Sequence, residues 1–289
     1  MAQAPAQTKY EIKGRPLIVV PEIFQLRYDP LGKDAIGLMN EKYAGNNHVV
    51  LDISGLAENQ PIGFSNVYRR FALGPIVEGL YGKDADGKTV QLLTPTQSEL
   101  ALKHGTLPDA RNTYEDLAVV VYSTEGANAQ LAQHLVKQAG GMGKVNFPMV
   151  IYGLKTVKDD SFPDGLRLDL GDVAVACHVP ILSRDTGNFD ASDPELVKTG
   201  FPSKLGEGSR TLYTAKDGLR GVLRDRDLVL GAVDGILPVS NEAGRVSFVM
   251  GAAPQNLEAA LEAVEAEVRR QKAAIEARRA KALEILGKH

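Results

Sequence analysis

The chain contains a single cysteine, Cys177, and no tryptophan. One thiol excludes an intrachain disulfide and any metal cluster built from the cysteines of one chain. Aromatic residues are sparse at 6%, which weighs against the stacking platforms of single-strand nucleic-acid binders. No stretch reaches the roughly 20 apolar residues needed to cross a bilayer, and residues 1–9 lack the apolar core of a secretory leader. A strong charge of either sign is missing as well. The net charge of −3 over 289 residues provides no global cationic field to concentrate nucleic acid. These absences predict a soluble, cytoplasmic protein with no membrane partner.

Signatures of chemistry are equally scarce. The GxSxG, SxxK and kinase-type motifs do not occur. His48, His104, His134, His178 and His289 form no HxH, HxxxH or HExxH pair, the spacings that bring two imidazoles to one metal. The string Gly140-Gly141-Met142-Gly143-Lys144 has a phosphate-loop flavour, but it runs from helix to strand and no Ser or Thr follows the lysine. It is read as a helix C-terminus and turn. Cys177 and His178 are neighbours in an alternating segment, so they point to opposite faces and cannot act as a pair. Asp185, Asn188, Asp190, Asp193 and Glu195 offer oxygens, yet Gly187 and Phe189 stand where calcium ligands are needed, so they are read as turn residues. No catalytic residue, metal or cofactor is assigned.

The patterns that are present predict an α+β fold: a strand-rich mixed body over residues 10–250, with a disordered tail over 1–9. Leu17–Val20 between two prolines, His48–Ile53, Thr89–Leu93, Leu117–Tyr122 and Val145–Leu154 read as strands. A helix over 126–138 makes 117–154 a strand–helix–strand unit. Asn66–Tyr81 reads as helix interrupted at Gly74-Pro75, giving two short helices or a kink. Thr94-Pro95-Thr96 marks the capped start of a helix to His104. Within Asp172–Leu182, Val173, Val175, Cys177, Val179 and Ile181 share what reads as a core face. The polar stretch 185–208 reads as a long functional or mobile loop, and 211–250 as a meander of short strands. A candidate subdomain boundary lies near residue 110.

The clearest pattern occupies residues 254–288, rich in Ala, Leu, Glu, Lys and Arg, and predicts a long C-terminal amphipathic helix. Leu257, Leu261, Val264, Val268, Ile275 and Ile285 recur at coiled-coil spacing. Glu258, Glu262, Glu265 and Glu267 lie in its first half. Arg269, Arg270, Lys272, Arg278, Arg279 and Lys281 lie in its second half. That polarity complements the helix dipole and favours antiparallel pairing of two such helices.

Three functions follow as expectations. The first is a non-enzymatic structural protein that forms a homo-oligomer through strand edges and the six-residue apolar seam. The alternative is a nucleic-acid-binding protein using Arg220, Arg224 and Arg226, which alternate at strand spacing, with the basic end of the terminal helix. The third is an enzyme whose site is assembled from distant residues, with His178 or His48 beside carboxylates.

Overall fold

Side-chain caps decide where three of the helices begin. In the computed structural model, which describes residues 22–82, 89–141 and 145–251, Asp29, Asn66 and Thr94 each accept a hydrogen bond from a backbone N–H of the first helical turn. The elements in chain order are β1 (Glu22–Gln25), α1 (Pro30–Lys42), α2 (Val67–Tyr81), β2 (Thr89–Leu92) and α3 (Pro95–His104). Then come β3 (Glu115–Val121), α4 (Ala129–Gly140), β4 (Met149–Lys158), β5 (Leu166–His178) and β6 (Gly187–Phe189). The last are α5 (Leu196–Thr199), β7 (Arg210–Thr214), β8 (Leu219–Arg224), β9 (Leu230–Asp234) and β10 (Ser247–Gly251).

The body is mixed α+β. A three-stranded antiparallel sheet has the order β1-β10-β2, and a seven-stranded sheet has the order β5-β4-β3-β8-β9-β7-β6. Every pair in the larger sheet is antiparallel except β7 with β9. β3 is buried along its whole length because both faces are covered. Val119 and Val121 meet a core shared with α1, α2 and α4, whereas Ala118 and Val120 meet a second core containing Phe189, Leu196 and Phe201.

Several expectations hold. β2 and α3 lie where the sequence places them, and Thr94 closes a capping box with Gln97. The strand–helix–strand unit is present as β3, α4 and β4, with β3 and β4 adjacent and antiparallel. The Leu17–Val20 strand, the 1–9 tail and the 254–288 helix lie outside the described residues.

Others are corrected. His48–Ile53 is not a strand; its backbone is held by side chains. Asn40 bonds both the N–H and the carbonyl of Leu51, and the Arg69 guanidinium takes the carbonyls of Val49 and Val50. α2 runs unbroken through Pro75. The 211–250 region is not a simple meander, since β9 lies between β8 and β7 and is parallel to β7. The 185–208 stretch is no bare loop: it contains β6 and α5, and its Phe189, Leu196 and Phe201 are buried against the sheet.

The proposed core face of residues 172–182 is corrected most sharply. Val179 is buried, but Val173 is 61% exposed and Val175 39% exposed. Among the described residues β5 is the last strand of its sheet, and the layer over that face ends before it reaches them.

Candidate functional site

The three arginines predicted to form one cationic stripe are separated by the fold. Arg220 lies in β8 with its guanidinium on the Asp217 carboxylate at 2.6 Å. Arg224 ends the same strand and is wholly buried, donating to the Ala110 carbonyl at 2.7 Å, with a nitrogen 3.9 Å from Glu115. Arg226 begins a short 3₁₀ turn, because the strand stops at Arg224. The alternating charges that looked like strand periodicity are a strand end and a turn. Phosphate cannot reach the Arg224 side chain without unfolding its surroundings.

Arg224 belongs instead to a buried ionic network that the sequence does not announce. Arg70 donates to Glu115 at 2.7 Å and also to the Leu93 carbonyl. Glu115 accepts from the Ser247 N–H as well. Glu99 and Arg210 form a two-pronged pair nearby, at 2.5 and 2.8 Å. Burial pulls the Arg224 guanidinium below its ordinary range, against the opposing fields of Glu115 and Glu99. Asp116, adjoining this network and fully enclosed, is pushed up to about 7 by burial, with Ser65 donating to it at 3.1 Å. These groups tie α2, α3, β3, β7, β8 and β10 together. Neither groove described for this body is lined by the paired arginines or glutamates among them.

Two of the described histidines sit beside carboxylates, and each of those carboxylates has a further partner. His178 is exposed at the end of β5, its Nδ1 3.2 Å from the Pro148 carbonyl. His48 does sit beside a carboxylate, 3.6 Å from Asp164, to which Tyr68 also donates. His134, which sequence reasoning passed over, is closer to one, 2.7 Å from Asp169. Asp169 is gripped by both prongs of Arg167 at 2.9 Å. Partial burial opposes its ionisation, but the Arg167 and His134 bonds prevail and hold it below the usual carboxylate range. A carboxylate so occupied is an anchor rather than a base. Asp190 and Asp193 spend their oxygens on Ser192 and Ser203. Among the described residues no group of three acidic, His or Cys side chains is placed to hold a metal ion.

Two surfaces remain. One is an open groove of about 610 Å³ between α1 and α2, lined by Leu38, Ile76 and Leu80 with Glu41 and Lys42 at its rim. The other is the edge of β5 away from β4, on which no strand pairs among the described residues. Val179 donates to the Pro148 carbonyl at 3.0 Å, which sets the phase of the β4–β5 ladder. By alternation Cys177 and Val175 turn their backbone groups toward β4, while Ala176 and His178 turn theirs to the other side. Over residues 173–177 this edge reads Val-Ala-Val-Ala-Cys and carries no charge. Toward its start the register shifts where β5 bulges opposite Gly153. The apolar seam Leu257, Leu261, Val264, Val268, Ile275 and Ile285, and the cations Arg269, Arg270, Lys272, Arg278, Arg279 and Lys281, lie outside the described residues.

Comparison with protein-family models, with curated proteins and with solved structures finds no match. No helix among the described residues is long and apolar enough to cross a membrane.

Proposed function

We propose that this chain is a non-enzymatic structural protein that assembles with copies of itself through strand edges and a terminal coiled-coil-like helix over 254–288. The observation that carries this reading is the uncharged, apolar edge of β5. Proteins that remain single commonly guard such an edge with lysine, proline or a covering element, and residues 173–177 have neither lysine nor proline. The bulge shields only the start of the strand. The seam of Leu257, Leu261, Val264, Val268, Ile275 and Ile285 supports the same reading, because a narrow apolar stripe on a helix needs a partner to leave water.

Burial of Arg224 favours this reading over nucleic-acid binding, because it removes the middle member of the cationic stripe Arg220, Arg224 and Arg226. Size-exclusion chromatography with light scattering tests the proposal. The full chain should run as a multimer, and removal of residues 255–289 should lower its mass. A strict monomer unaffected by that removal overturns it.

A further inference from the structure

Ladder geometry restricts how the edge of β5 can meet a second copy. Past the bulge, β5 is regular over residues 175–179. Val175, Ala176, Cys177 and His178 pair in order with Tyr152, Ile151, Val150 and Met149, and the Val179 N–H reaches the Pro148 carbonyl. Before Val175 the register breaks opposite Gly153, and after Val179 the chain leaves the sheet in the 3₁₀ turn Pro180–Ser183. Resting on the self-association reading, we propose that two copies join antiparallel over residues 175–179 alone, about a two-fold axis at Cys177.

Hydrogen-bond phase selects that axis. Ala176 and His178 are the residues of this stretch whose N–H and C=O groups point away from β4. With the axis at Cys177, Ala176 lies opposite His178 of the second copy, and His178 opposite its Ala176. Each pair can then exchange two ladder bonds, and the β4–β5 ladder is left as it is. Moving the axis by one residue spoils this. At Ala176 it sets His178 against Ala174, where the strand bulges. At His178 it sets Ala176 against Pro180, which has no N–H to give. A patch that serves as its own partner is the form a two-fold contact requires.

Side chains agree with the axis. Cys177 faces its own mate at a non-hydrogen-bonded position, where side chains come closest. The partly exposed Val175 lies opposite the buried Val179 of the second copy, so apolar groups meet on both sides of the axis. His178 faces Ala176, and residues 175–179 include no acidic residue, lysine or arginine. No like charges oppose each other in this register.

The native thiol reads the register in the full-length chain. Two Cys177 residues across the axis stand about 4.5 Å apart at their Cα atoms, within the separation that a disulfide spans. Diamide takes up the two hydrogens as the S–S bond forms. The comparison chain carries Cys177→Ser with Val175→Cys, which moves both thiols off the axis. Under diamide the parent should migrate mainly as a reducible dimer, forming at least tenfold faster than the comparison chain. Val175 is the more exposed position, so random collision predicts the opposite order. Equal rates, or no Cys177 dimer, overturn the proposal.

Ala176→Pro provides a second variant that needs no thiol. The Ala176 N–H is outside the β4 ladder, so proline is tolerated there as on other edge strands, and far-UV circular dichroism checks the fold. By symmetry the substitution removes two of the ladder bonds between copies, and the particle mass should fall. An unchanged mass in the folded variant also overturns the proposal. Light scattering of the parent separates the two readings. A multimer that does not trap at Cys177 retires the β5 contact alone, whereas a monomer retires the assembly reading with it.

Discussion

Glu115 accepts from Arg70 and from the Ser247 N–H on one oxygen, while its other oxygen lies 3.9 Å from Arg224, all within a region closed to solvent. A buried ion pair is weak evidence of net stability, but breaking one leaves an uncompensated charge. Glu115→Gln would strand two buried guanidinium groups against a neutral amide. Urea unfolding should therefore show a loss of about 3–5 kcal/mol. Asp116 next to it behaves oppositely. Its carboxyl is raised from 3.8 to about 7, chiefly by burial, so the folded state binds a proton that the unfolded state has released. That contribution destabilises progressively as pH rises from about 4 to about 7 and is complete above it. Asp116→Asn should remove the penalty, gaining up to roughly 4 kcal/mol relative to the parent at pH 8 and almost nothing at pH 4. Unfolding curves at the two pH values test the sign.

The elements divide by whether local chemistry or distant partners define them. α3 was legible because Thr94 and Gln97 cap it from within three residues, and β3 because its unbroken apolar run fits only a strand covered on both sides. The 48–53 segment was not, because its backbone partners are Asn40 and Arg69, up to 20 residues away, and no local pattern encodes them. The ionic network escaped for the same reason: Glu99 and Arg210 are 111 residues apart. β5 was read with the right alternation and the wrong burial, since periodicity reports faces but not whether a layer covers them. The 185–208 segment looked mobile because polar residues outnumber the apolar ones, of which Phe189, Leu196 and Phe201 are buried and fasten it over the second core. If that fastening is what closes the core, Phe201→Ala should cost about 3–5 kcal/mol and speed amide exchange across β6 and α5. Wild-type exchange rates there would show the segment to be peripheral.

At the scale of the molecule, the two proposed self-contacts, at the β5 edge and along 254–288, would have a consequence that neither has alone. Each copy would bind one neighbour through β5 and another through the 254–288 seam. When their axes differ, two such contacts close into a small ring or continue as an open chain. In both cases the particle exceeds a dimer, and disabling one contact should leave the dimer made by the other. The full chain is therefore expected to exceed two copies of its 31.1 kDa mass by light scattering. Val175→Asp should leave a dimer held by the terminal segments. Leu261→Asp with Val268→Asp should leave a dimer held by β5, and the three substitutions together should give a monomer. These contacts also differ in their response to salt. If two terminal segments pair antiparallel, their acidic and basic halves would meet, so high ionic strength should loosen the Val175→Asp dimer. A contact at the β5 edge would rest mainly on backbone hydrogen bonds and apolar side chains, so it should change little, and a salt titration of the two variants distinguishes the contacts. Equal sensitivity in both would mean that the acidic and basic halves do not meet.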